Sequence, residues 1–164
     1  MTKEQLLDRV PPCGLMCYTC PGFEDGAIAE HSAALLRLNE GFREFLDIKL
    51  SEEYRYLLEE YDKFIEKLKR DANPKCPGCR KINGEGPGCI EGCFIPECVK
   101  EHGVDFCAEC DKFPCSKVRD SEIYGKEARE AIVEGSLLIK ENGAERFFEI
   151  KKDASHYAKY KKTT

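Results

Sequence analysis

The sequence predicts a mainly α fold, a helical domain with an irregular, strand-poor Cys-rich region stapled by metal ions. Apolar residues recur at three- and four-residue steps on both sides of the middle of the chain, the period of a helix with one buried face. The middle is punctuated by Pro77, Gly78, Gly84, Gly86, Pro87, Gly88, Gly92 and Pro96, which leaves little continuous apolar sequence for a core of its own. Eleven cysteines among 164 residues supply what that region lacks, because clustered thiols at short spacings suit tetrahedral metal coordination. At this length the chain reads as one domain over 1–164, with Cys-rich metal-binding segments at 13–20 and 76–115, a helical spacer at 24–72 and C-terminal helices at 121–162.

Met1 to Val10 holds no apolar stretch that could act as a secretory signal, and no apolar run approaches the ~18 residues of a membrane span. The chain therefore reads as cytoplasmic, with no membrane partner. Thiols stay reduced there, so a cysteine-dense chain points to metal binding or redox chemistry before disulfides, and the odd count agrees. Lys and Arg total 26 against 31 Asp and Glu, and the net charge of −5 disfavours nucleic acid held through its phosphates.

In chain order, Cys13-x3-Cys17-x2-Cys20 comes first. A closed zinc site wants four ligands, so this trio must borrow one and clip the chain's start onto the central block. Ala27 to Asn39 carries Ile28, Leu35, Leu36 and Leu38 as a helix, and Phe42, Phe45 and Leu46 mark a short one after it. From Ser51 to Arg70 the residues Tyr54, Leu57, Leu58, Tyr61, Phe64, Ile65 and Leu68 form one buried stripe, with Ser51 as N-cap and Asn73-Pro74 as the stop. His31 has no ligand-spaced neighbour and reads as structural.

Cys76-Pro-Gly-Cys79 and Cys107-Ala-Glu-Cys110 are C-x2-C knuckles, whose tight turns bring two sulfurs onto one ion at about 2.3 Å. Cys89-x3-Cys93, Cys93-x4-Cys98 and Cys110-x4-Cys115 feed the same or neighbouring sites. His102 lies four positions after Cys98, one helical turn away, and makes a twelfth ligand, enough for three four-ligand sites; spacing leaves their grouping open. A bound ion replaces the missing burial, since structural zinc is worth about 10–16 kcal/mol in small peptides. Beyond the cysteines, Ser121 to Glu141 shows Ala128, Ile132, Gly135 and Ile139 on one stripe. It stops at Asn142-Gly143, before a last helix with Phe147, Phe148 and Ile150.

Two or three zinc ions are expected, and an iron-sulfur cluster is the chemical rival, because thiolate-only sites suit both. The N-terminal trio matches the spacing of radical S-adenosylmethionine enzymes, but successive helices after Cys20 are not the strand-helix units of that barrel. C-x-x-C oxidoreductases set their pair between a strand and a helix, whereas these pairs sit in Gly- and Pro-rich loops. Gly84-x-Gly86-Pro87-Gly88 lacks the following Lys-Ser or Lys-Thr of a phosphate cradle, and no His-Glu-x-x-His or Gly-x-Ser-x-Gly appears. No catalytic residue can be named. Lys151, Lys152, Lys159, Lys161 and Lys162 with Tyr157 and Tyr160 read as a solvated helix face. The residues describe a cytoplasmic zinc-binding protein with structural Cys-rich sites, an interaction or regulatory module for a protein partner. The alternative is an iron-sulfur protein in redox chemistry or sensing.

The order Cys13-Gly-Leu-Met-Cys-Tyr-Thr-Cys20-Pro, Cys76-Pro-Gly-Cys79, Cys89, Cys93, Ile95 leading to Cys98, Gly103-Val-Asp-Phe-Cys-Ala-Glu-Cys110 and Phe113-Pro-Cys115 resembles one family. These are the prokaryotic cysteine-rich proteins grouped as domain-of-unknown-function family 3795. The resemblance extends from residue 13 to about 150, including Ile139 to Gly143, and implies metal ligation by the matching cysteines and no particular activity. Many members add a last Cys-Pro-x-Cys knuckle, where this chain has Ser155-His156-Tyr157 and a Lys-rich tail.

Overall fold

A computed structural model describes residues 1–82, 90–155 and 157–161. Among these residues the chain runs through α1 (Lys3–Arg9), α2 (Ala27–Leu38), α3 (Phe42–Lys49), α4 (Tyr56–Asp71), α5 (Ile95–Glu101), α6 (Ser116–Arg119), α7 (Gly125–Asn142) and α8 (Ala144–Lys151), joined by loops and 3-10 turns. The described residues contain no strand; β pairing is confined to an isolated parallel bridge between Phe23 and Cys76. The expectation of a mainly helical, strand-poor protein is met.

Helix α1 starts at a capping box, in which Thr2 Oγ1 accepts from the Gln5 N–H and Gln5 Oε1 accepts from the Thr2 N–H. Its single buried residue, Leu6, gives no period to read, which is why the sequence marks no helix there. Leu6, Val10 and Met16 meet Phe106 and, from α7 and α8, Ile139, Phe147 and Phe148 in one apolar cluster. A second cluster joins Ile95 and Val99 of α5, Phe113 and Val118 to Tyr124 and Ile132, with Cys13 and Cys107 packed among them.

The central block has no core of its own, in keeping with its broken apolar sequence, and this second cluster is what it packs into. Its hydrophobic residues are scattered singly between the cysteines, so no run betrays them. Yet Ile95 is 1% exposed and Val118 0%, both packed into one cluster with Ile132 of α7. The segment shares the core of the C-terminal helices instead of building its own.

Helix α7 is the central strut. Ile132, Gly135 and Ile139 are buried and Ala128 half-buried, as the stripe predicts, and Gly143 (φ 79°) ends the helix in a conformation that suits glycine. Gly135 has a second duty, since the Gly14 carbonyl crosses α7 where a Cβ on Gly135 would stand. Ser136 Oγ, buried, donates to the Cys13 carbonyl at 3.2 Å and completes that crossing. The first cysteine loop is thus seated on α7.

Helices α2, α3 and α4 form an arm, with α4 packed on α2 and α3. Two expectations are corrected here. The α-helix starts at Tyr56, after a 3-10 turn over Glu52–Tyr54, and the Ser51 side chain makes no capping hydrogen bond. The stripe is buried only at Leu58 and Leu68, while Tyr54, Leu57 and Phe64 are exposed, because the arm offers α4 only two partner helices. Along it Phe42 stacks on Phe45 and meets Tyr61 in a T-shaped contact, and Tyr61 tilts against Phe64.

Candidate metal centre

The thiols are held in turns with a repeated construction. The Cys17–Thr19 and Cys107–Glu109 segments are 3-10 turns, each closed by a backbone bond from the second cysteine's N–H to the first one's carbonyl, at 2.8 and 3.2 Å. Three residues on, the Phe23 N–H donates to the Cys20 carbonyl at 3.2 Å and the Phe113 N–H to the Cys110 carbonyl at 3.0 Å. Both phenylalanines are buried anchors. The pattern is Cys-x2-Cys-x2-Phe twice, so the two turns project their sulfurs from the same backbone frame.

Around the second turn four thiols line one cavity. Cys98 on α5, Cys107, Cys110 and Cys115 line a cavity of 300 Å³ with Lys112 and Lys117 beside them. Burial pushes the Cys107 thiol up to about 12, reinforced by Cys115, Cys98, Cys110 and Cys93. Cys98 is also raised, mainly by burial, with Lys117 pulling the other way. Both keep their protons at neutral pH until a cation compensates the charge. Among the described residues no three His, Cys, Asp or Glu side chains stand close enough to hold an ion as they are.

His102 shares that cavity, but its Nδ1 lies 2.8 Å from the Cys98 carbonyl and 3.8 Å from the Cys98 sulfur, at the exposed C-cap of α5. The helical turn inferred from Cys-x3-His is present, and the ring is engaged by the backbone. His31 is exposed on α2.

The N-terminal thiols lie elsewhere. Cys13 is buried against α7, and Cys17 and Cys20 are half-buried. The Cys20 sulfur accepts from the Gly22 N–H at 3.4 Å and lies 3.5 Å from the Tyr157 hydroxyl. In the same turn the Thr19 hydroxyl is buried with no hydrogen-bond partner among the described residues. Cys76 runs beside this segment through the Phe23 bridge, its N–H donating to the Gly22 carbonyl at 3.0 Å and its carbonyl accepting from Glu24. Cys93 contacts the buried Tyr124 hydroxyl at 3.6 Å, and burial, then this bond, pushes that phenol up. Cys89 lies outside the described residues.

Sequence reasoning missed Arg80. It donates to the Leu7 carbonyl at 2.9 Å and the Asp105 carbonyl at 2.6 Å and lies over the Phe106 ring. Burial pulls the guanidinium down, against Asp105 and the thiols of Cys13 and Cys79. One cation therefore ties the Cys79 knuckle to α1 and to the approach of the Cys107 turn.

Four sulfurs, one exposed imidazole and no carboxylate line the Cys98–Cys115 cavity, a soft set that suits zinc or an iron-sulfur cluster better than magnesium or calcium. Fold and thiols together define a helical, cysteine-rich protein that presents its thiols from short Cys-x2-Cys turns. The family described as "Protein of unknown function (DUF3795)" matches residues 9–120, and the chain belongs to it. The match takes in both cysteine clusters and ends before α7, so Ile139 to Gly143 lies beyond it. No curated protein and no solved structure matches the chain.

Proposed function

We propose that this is a zinc-binding protein whose metal is structural, with Cys98, Cys107, Cys110 and Cys115 as the four ligands of a closed site. The observation that carries this is their common cavity, formed by an α5 residue, a knuckle and a cysteine that opens α6. Four thiolates complete a tetrahedron and leave no open position for a substrate. His102, held by the Cys98 carbonyl, stays outside the set. The lysines beside the cavity offset part of the charge that a four-thiolate site carries. Such a site requires reduced thiols, so the cytoplasm is its compartment. Residues 1–164 act as one domain that the metal keeps in shape for a protein partner. No helix among the described residues is long and apolar enough to cross a membrane.

The test is elemental analysis of the whole chain purified without air. Colourless protein with two or three zinc ions is expected, and the Cys107→Ser, Cys110→Ser double variant should lose one ion while His31→Ala keeps all. Brown, iron-containing protein would assign the cluster reading instead. Folded protein with no stoichiometric metal would overturn both.

A further inference from the structure

We propose that Cys17, Cys20, Cys76 and Cys79 form a second, separate metal centre, and that its ion is the clasp fastening the α2–α4 arm to the rest of the molecule. This rests on the reading of the chain as a thiolate metal protein and adds where a second ion sits and what it controls.

The cysteine turn is repeated. The Cys17–Cys20 turn has the hydrogen bonds and buried phenylalanine of the Cys107–Cys110 turn, and the cysteine closing each has nearly the same ψ, 131° and 132°. The same frame presents two sulfurs in both places. At Cys20 the Gly22 N–H already points at sulfur, a bond that strengthens when the sulfur becomes a thiolate. The buried Thr19 hydroxyl beside it has no partner among the described residues and is a second donor available to that charge.

The trio at 13–20 needs ligands from elsewhere, and the Phe23–Cys76 bridge brings the Cys76-Pro-Gly-Cys79 knuckle alongside the end of the Cys17–Cys20 turn. A Cβ on Gly78 (φ 94°) would stand 3.2 Å from the Phe23 ring, so the middle of one knuckle rests on the anchor of the other. Cys13, buried against α7, is turned to the other cluster and leaves two cysteines on each side. Arg80 holds the far end of the Cys76–Cys79 knuckle, so it is pre-positioned before any ion binds.

Neither apolar cluster includes a residue of α2, α3 or α4 among the described residues. The principal contact of these helices with the rest is between α2 and the Cys17–Thr19 turn. The arm leaves the molecule just after Cys20 and returns just before Cys76. An ion joining these pairs closes the loop at its base and supplies the attachment that hydrophobic burial does not.

The test compares two double variants of the full chain, Cys76→Ser, Cys79→Ser and Cys107→Ser, Cys110→Ser, by metal content and by amide hydrogen exchange resolved along the sequence. The first should carry one ion fewer and lose protection in α2 and at the Cys76 amide, while α7 stays protected. If it keeps every ion while the second loses one, the clasp is wrong and the Cys98–Cys115 site stands. If neither loses metal, both readings fall. Should the first variant not fold, NMR of wild-type protein loaded with a spin-active cadmium isotope decides through couplings to cysteine β-protons. One cadmium coupled to Cys17, Cys20, Cys76 and Cys79 alone is the expected result, and couplings mixing these with Cys98, Cys107, Cys110 or Cys115 overturn the proposal.

Discussion

At the scale of single residues, Cys107 and Arg80 hold the two ends of the thiol chemistry. Cys107 is buried among other sulfurs, which raises its thiol from 9.0 to about 12. In protein stripped of metal, the folded thiol then holds its proton after the unfolded one has lost it. The folded state binds more protons between about pH 9 and about pH 12, so its stability falls as pH rises through that window. Urea titrations of chelator-treated protein along that range should show this decline, smaller in Cys107→Ala; an unchanged slope in the variant would assign the effect to other groups. The Cys107 thiol was legible from its knuckle spacing. Arg80 was not, because its partners Leu7 and Asp105 lie 73 and 25 residues away and no motif marks a cation that bonds backbone carbonyls.

Among the elements, α7 and α4 show when a hydrophobic period can be trusted. Both carry clean stripes, but only that of α7 is buried along its length, because α1, α8 and the cysteine block surround it. Periodicity reports which face is apolar and says nothing about how much protein is available to cover it. The short helices α1, α5 and α6 fall below the length at which a period exists, and the seven residues of α5 are interleaved with cysteine, proline and charge. The Gly14 carbonyl lies against α7 where a Cβ on Gly135 would stand. Gly135→Ala should cost about 1–3 kcal/mol, the range of overpacked cores, and more if the loop is expelled. Chemical denaturation would measure it, and a neutral result would mean that the loop does not sit on the helix. Ala131→Gly, on the same helix and half-buried, is the control for propensity alone.

For the whole molecule, the issue is what the two apolar clusters hold and what they leave out. The Cys-x2-Cys turns were readable because a tight turn is local and its spacing survives in the chain as text. Which turns lie side by side was not, since that depends on the Phe23–Cys76 bridge and on the α5–α6 packing, contacts between residues far apart. The two apolar clusters account for α1 and α5 to α8 without invoking an ion, and leave out the arm. Chelation should therefore keep much of the helical circular dichroism while lowering the unfolding midpoint, with proteolysis starting within residues 24–76. Complete loss of helix on chelation would show that the clusters are not self-supporting.

The Cys13 loop rests on a helix whose Ser136 bonds it from 123 residues further along. On the ribosome, Cys13 therefore leaves the exit tunnel well before its seat has been translated. For most of synthesis that sulfur faces the surroundings, open to oxidants and stray cations, and it is covered only when the polypeptide is almost finished.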